Sequence, residues 1–264
     1  MGHRDPASQE AVARSHAPPH GGVLRNVDVD WDRWPVQDYL TENYRQLHPA
    51  DLAVIEHHSR FYRRFPPDSV DRSLEFGAGP NLYPLMMAAA VSRHIHAVEP
   101  SAASVAYLTR QLTDGPDASW AAFYRECRWQ QSALPATLTE ALARVEVSRG
   151  RADSIAPGGY GLASMNFVAE SVTEDADEFD ELCGRFVASV APGGYLVAAF
   201  MENMARYELG DGSAWPGYPV DERRVGTAFA GRTEELAITR TGADPSLPDY
   251  GYTGMVLLTA RRPP

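Results

Sequence analysis

Leu74-Glu75-Phe76-Gly77-Ala78-Gly79-Pro80, followed by Ala97-Val98-Glu99-Pro100, decides the fold. An apolar–acidic–apolar run into Gly-x-Gly is the pattern of a buried parallel strand that ends in a tight turn. Gly79 and Glu99 lie 20 residues apart, the length of one helix plus one return strand. Glu99 is thereby placed at the carboxyl end of the neighbouring strand, beside the glycine turn. A carboxylate there can accept both hydroxyls of a ribose, and bare backbone at the glycines lets a ligand come close. The arrangement predicts a nucleoside cofactor.

Departures from other nucleotide motifs narrow the choice. A dinucleotide fold carries a third glycine where the helix packs close to the strand and faces a pyrophosphate. That position is Leu82 here, and Pro80 follows the second glycine directly. No Gly-x4-Gly-Lys-Ser/Thr phosphate loop occurs. Glu75-x-Gly77-x-Gly79 with the later Glu99 fits a ribose-bearing cofactor without phosphate, S-adenosylmethionine (SAM). The bland alternative is a tight strand–helix turn with a surface glutamate.

Composition limits the partners. Acidic side chains outnumber basic ones 35 to 24, a formal net charge of −11. Such a surface repels phosphate backbones and anionic lipid, which argues against nucleic acid or membrane and for a small-molecule substrate. Cys127 and Cys183 stand in no metal or redox spacing and read as buried thiols of a cytoplasmic protein. No apolar run reaches the length of a membrane span, and the N-terminus lacks a signal-peptide core. His94-x-His96 and His57-His58 have no third ligand beside them, so no metal is expected. The oligomeric state stays open.

Working outward from the glycine turn, strands and helices alternate. Strands are predicted near 72–76, 94–98, 144–147, 160–167, 195–200, 236–241 and 252–260, and helices near 49–65, 83–90, 101–112, 136–144 and 174–190. Ser101 is an N-cap candidate, and Leu52, Ile55, Ser59 and Tyr62 mark the inward face of the helix that starts at Pro49. Ala191-Pro192-Gly193-Gly194 reads as a sharp turn, and 114–131 as a partly helical insertion. The alternation predicts an α/β fold with a Rossmann-like doubly wound sheet. Residues 1–26 show no periodicity and read as a mobile leader, with His3, His16 and His20 solvated. Residues 27–264 are expected to form one domain, with a helical cap over 27–70 and the α/β core over 71–264.

The glycine turn, the later acid and the Pro-Gly-Gly-Tyr-Leu-Val entry at 192–197 resemble class I SAM-dependent methyltransferases. Tyr39, Tyr44 and Gly77-Ala78-Gly79-Pro80-Asn81-Leu82-Tyr83 narrow the likeness to the family of nicotinamide, phenylethanolamine and thioether N- and S-methyltransferases, over about residues 34–260. The resemblance implies that Tyr39 and Tyr44 hold the SAM carboxylate and cap the site. It places Gly77, Ala78, Gly79, Pro80 and Tyr83 against the cofactor and Glu99 on the ribose. It also implies that Ser104 lies near the adenosine, that Glu146 and Val147 face adenine, and that Tyr207 contacts substrate. The stretches 165–171 and 199–203 look like a bacterial branch with members in natural-product pathways.

One departure bears on the substrate. Where amine-methylating members carry a key aspartate, this chain aligns Phe200, followed by Met201 and Met204. That weighs against a nicotinamide or catecholamine acceptor and for a more apolar pocket. Asn166, at the end of a predicted buried strand, is expected beside the methionine part of SAM. Asn166, Glu202 and Tyr207 are expected to face the reacting end.

Three functions are open. The first is methyl transfer to a small acceptor, favouring nitrogen, because a neutral amine needs positioning and desolvation but no strong base. The second is intramolecular cyclisation of SAM, releasing methylthioadenosine with azetidine-2-carboxylate or 1-aminocyclopropane-1-carboxylate. The cyclopropane route must remove a proton from Cα, and the chain contains no lysine to serve as base. The third is a SAM- or nucleoside-binding regulator, against which the cap tyrosines weigh.

Overall fold

The computed structural model describes residues 22–264 apart from Asp211 and Pro248. The expected leader lies mostly outside the described residues, as do His3, His16 and His20. The cap consists of α1 (Val36–Asn43) and α2 (Pro49–Tyr62). The core follows as β1 (Val70–Phe76), α3 (Tyr83–Ala88), β2 (Ser92–Glu99), α4 (Ala102–Thr113), α5 (Trp120–Gln130), α6 (Leu138–Leu142), β3 (Val145–Arg149), β4 (Tyr160–Asn166), α7 (Ala176–Ser189) and β5 (Val190–Glu202). It closes with β6 (Tyr207–Leu209), β7 (Ser213–Trp215), α8 (Glu222–Phe229), β8 (Glu234–Gly242) and β9 (Gly254–Arg261).

Seven strands form one sheet in the order β3-β2-β1-β4-β5-β9-β8. The first five are parallel, and β9 runs antiparallel to both β5 and β8. The order reverses between β1 and β4, which opens a crevice at their carboxyl ends. The expected doubly wound sheet is therefore present. The small β6–β7 hairpin and α8 escaped the sequence reading.

Side-chain alternation splits the core into two layers. Along β5, Val197 and Ala199 pack under α2, α3 and α5, whereas Leu196, Ala198 and Phe200 pack against α7 and α8. The stretch 114–131 resolves into α5, whose Trp120, Phe123, Tyr124 and Cys127 recur at helical spacing and are all buried. Full burial of a side chain such as Phe123 is worth about 1.5–3 kcal/mol, enough to anchor the insertion. Leu52 is 37% exposed. Ile55, Ser59 and Tyr62 are buried as expected, and Val54, His58 and Phe61 complete the inward face of α2. The residues 191–194 are not a turn before a strand but an irregularity inside β5, where pairing with β4 jumps from Val190 to Tyr195 and Gly193 takes φ +76°.

Candidate active site

A deep cavity opens at the carboxyl ends of β1, β2 and β4, roofed by the cap and the β6–β7 hairpin. Its floor is the glycine turn. Gly77 takes φ +70° and Gly79 φ +55°, a left-handed backbone that favours glycine, and a Cβ on Gly77 would lie 2.7 Å from Val168. Gly77 and Ala78 N–H both donate to the Val98 carbonyl at 3.0 and 3.2 Å, which locks the turn onto β2.

Glu99 ends β2 and lines the cavity. Its Oε2 accepts Gly79 N–H and its Oε1 accepts Ser101 N–H, both at 2.8 Å. Burial pushes its carboxyl up to about 7, against the pull of those two donors. Ser101 caps α4 by accepting Ser104 N–H at 3.2 Å, as expected, and Ser104 lies in the cavity wall.

At the other end of the turn Tyr39 and Tyr44 also line the cavity, their hydroxyls 3.1 Å apart. Asn81 Nδ2 donates to the Tyr44 hydroxyl at 3.1 Å. Tyr207 enters from β6 and Trp34 from the entry to α1. Asn166 lines the cavity at the end of β4 and donates through Nδ2 to Glu75 at 3.0 Å, while its Oδ1 has no partner. Glu75 is fully buried, accepts a second hydrogen bond from Ser164 and is raised to about 7 by burial. Phe167, next along the wall, holds φ +58°, a strained value for a non-glycine residue of the kind that collects at functional sites.

Four expected site residues lie elsewhere. Glu202 points to the opposite face of β5 from Met201, as alternation requires. It accepts two hydrogen bonds from Arg240, at 2.6 and 2.5 Å, and one from Thr253 at 2.6 Å. Arg240 holds its carboxyl below the usual range, and Glu202 ties β5 to β8 rather than facing the cavity. Tyr83 is fully buried behind Tyr44, stacked on Phe123 at 5.9 Å. Glu146 and Val147 sit within β3, outside the lining. The wall there is the chain just past β3: Gly150, Arg151, Ala152 and Ile155. β3 runs two residues beyond its expected end, so the segment after it, not within it, faces the cavity.

Two features were not foreseen. Leu24 and Asn26, assigned to the mobile leader, are fixed: Leu24 N–H donates to Glu174 Oε2 at 3.0 Å, its carbonyl accepts Glu174 N–H at 2.8 Å, and Asn26 N–H donates to Glu178 Oε2 at 2.9 Å. From there the chain crosses the cavity mouth. Trp31 stacks on Trp215 at 5.6 Å, and Asp32 accepts from Ala102 N–H and Arg149 at 2.7 and 2.8 Å. The second is Asp51, 7% exposed and in the cavity wall at the start of α2. No group of three potential metal ligands occurs among the described residues, and no described helix is long and apolar enough to cross a membrane.

The comparisons with known proteins meet this geometry. The NNMT/PNMT/TEMT family matches residues 26–262. The chain belongs to that family. Its class is thereby SAM-dependent methyltransferase, with SAM as the cofactor that Glu99 and the glycine turn suit. No curated protein matches the sequence. Solved structures share the fold at low identity. A SAM-dependent methyltransferase from Methanosarcina mazei has TM-score 0.51 and 10% identity, over 83% of this chain and 99% of its own. The [4+2]-cyclase SpnF has TM-score 0.54 and 14% identity, over 87% and 92%. The 1,6-didemethyltoxoflavin-N1-methyltransferase of Burkholderia thailandensis has TM-score 0.50 and 15% identity, over 86% and 82%.

Proposed function

We propose that this enzyme transfers the methyl group of SAM to a nitrogen of a small acceptor, in natural-product metabolism. The observation that carries the reading is the make-up of the acceptor half of the cavity. Trp34, Tyr39, Tyr207, Tyr250, Met201 and Met204 surround it; among the described residues no histidine or lysine lines the cavity, and its carboxylates are Glu99, on the ribose side, and Asp51, at the start of α2. A hydroxyl acceptor at neutral pH calls for such a base; a neutral amine does not.

When bound, SAM supplies an electrophilic methyl on a sulfonium. The chain's own residues do the rest. Glu99 accepts the ribose hydroxyls, and the bare backbone at Gly77 and Gly79 admits the cofactor closely. Tyr39 and Tyr44 offer hydroxyls to its carboxylate and ring faces to its cation. Asn166, held by Glu75, stands at the methionine end. The strap through Trp31 and the cap exclude water, which favours displacement at a desolvated centre. The Burkholderia neighbour is named for N-methylation of a small heterocycle, and chemistry of that kind fits this wall.

The test is incubation with SAM, alone and with small amines, thiols and alcohols, read by mass spectrometry. S-adenosylhomocysteine (SAH) formed only with an amine is the expected result. Methylthioadenosine with a four-carbon cyclic amino acid from SAM alone would overturn it in favour of cyclisation.

A further inference from the structure

We propose that Asp51 binds the α-ammonium of SAM, so that the zwitterionic end of the cofactor is held between the cap tyrosines and a cap carboxylate. The assignment rests on the placing of the methionine end at Tyr39 and Tyr44 and is independent of the acceptor.

The methionine part of SAM carries a carboxylate and an ammonium on one carbon. Tyr39 and Tyr44 offer hydroxyl donors to the first. The second brings three N–H donors of its own and calls for an acceptor, best a charged one. A cation taken out of water without an anion beside it is strongly disfavoured. The acid of the glycine motif, Glu75, does not meet that need. It is fully buried, its oxygens accept Asn166 Nδ2 at 3.0 Å and the Ser164 hydroxyl, and it lies outside the cavity lining. Among the described residues the carboxylates that line the cavity are Glu99 and Asp51. Glu99 ends β2 at the ribose side. Asp51 is left for the ammonium.

The position of Asp51 agrees. It stands in the first turn of α2, which packs on α3, the helix that follows the glycine turn. Asn81, at the end of that turn, donates to the Tyr44 hydroxyl at 3.1 Å and accepts Tyr83 N–H at 3.2 Å. Burial pushes up the hydroxyls of Tyr39, Tyr44 and Tyr83, and the charge of Asp51 adds to the push on all three. Asp51 is thus close to the tyrosines that belong to the methionine end. The side chain is also held in place. Its Oδ2 accepts His48 N–H at 3.1 Å, and the next residue back, Ala50, donates its N–H to Asp244 at 3.0 Å. Burial lifts the Asp51 carboxyl to about 7 against the pull of His48 N–H, with a further push from Asp244. Among the described residues no cation relieves it. A carboxylate in this state favours an incoming ammonium.

The experiment uses the full chain, Asp51→Asn and three ligands, with affinities read by calorimetry. The ligands are SAH, the SAH analogue with hydrogen in place of the α-amino group, and 5′-methylthioadenosine, which lacks the amino-acid part. SAH has no sulfonium, so the α-ammonium is the only cation it offers. Asp51→Asn keeps an oxygen for His48 N–H. The expected result is SAH bound about 10- to 100-fold more weakly by Asp51→Asn. The deaminated analogue and methylthioadenosine should bind both proteins within about twofold. The unaltered protein should itself prefer SAH to the deaminated analogue by about 10- to 100-fold, which tests the assignment without any substitution. SAH affinity within threefold in Asp51→Asn, a loss of equal size for the deaminated analogue or methylthioadenosine, or no preference for SAH in the unaltered protein overturns it. Tyr44→Phe should weaken SAH more than the analogue without the α-carboxylate; equal weakening overturns the placing of the methionine end, a failure distinct from that of Asp51. No acceptor is present in these measurements, so methyl transfer stands or falls separately, on the products formed from SAM.

Discussion

Replacing Glu99 by Gln distinguishes a cofactor-binding acid from a group that only braces the loop. The two carboxylate oxygens serve different donors, Gly79 N–H on Oε2 and Ser101 N–H on Oε1, each at 2.8 Å. A carboxamide has one oxygen and one NH2, so one of those N–H groups loses its acceptor. Leaving a buried donor unpaired costs about 1–3 kcal/mol, which lowers the unfolding free energy by that amount. A ribose hydroxyl that loses a charged acceptor forfeits about 1.5–3 kcal/mol. SAM is therefore expected to bind about 10- to 150-fold more weakly.

The pH dependence separates the two roles. Glu99 is held near 7 by burial, so below that value most of it is protonated in the free enzyme. The ribose hydroxyls prefer the ionised form as acceptor. SAM affinity should then rise as pH climbs through about 7 and level off above it, with a proton released on binding at about pH 6. Calorimetry in two buffers of different ionisation enthalpy measures both quantities. In Glu99→Gln the Glu99 share of that release disappears. A Glu99→Gln enzyme with unaltered SAM affinity and unaltered proton release would refute the ribose assignment, whatever happened to its stability.

Asp51, Glu75 and Glu99 are each raised to about 7, and Glu170 to about 8, all chiefly by burial. Between the ordinary carboxyl range and those values the folded chain holds more protons than the unfolded one, so the ligand-free protein should lose stability as pH rises from about 5 to 8. Thermal scans across that range check it, and a melting temperature that rises or stays flat would contradict it. Trp31→Ala removes the stack on Trp215 and the bond from its indole N–H to Asn26 at 2.8 Å. SAM affinity should fall about three- to tenfold while residues 24–34 exchange amide hydrogens faster; unchanged exchange would mean that the stack does not hold the strap.

What was legible in the sequence was local. Glu75, Gly77, Gly79 and Glu99 are joined by one strand, one turn and one return strand, and short-range geometry carries them to one place. Ser101 as a cap rests on positions three apart in the first turn of one helix. The misplaced residues depended on where a strand stops or which way it faces. Reading β3 two residues short moved the cavity wall there onto Glu146 and Val147. Glu202 failed because a strand shows alternate residues to opposite layers, and its neighbour Met201 takes the cavity side. The strap was missed because its anchors, Glu174, Glu178 and Trp215, lie far along the chain.

Asp51 was hidden for a different reason. In Pro49-Ala50-Asp51 it looks like any acidic residue in a first helical turn, and one of its oxygens does that ordinary work on His48. Only the fold places it in the cavity wall together with Tyr39, Tyr44 and Tyr252. Phe200 on β5 packs into the α7–α8 layer and leaves that strand with no carboxylate toward the acceptor.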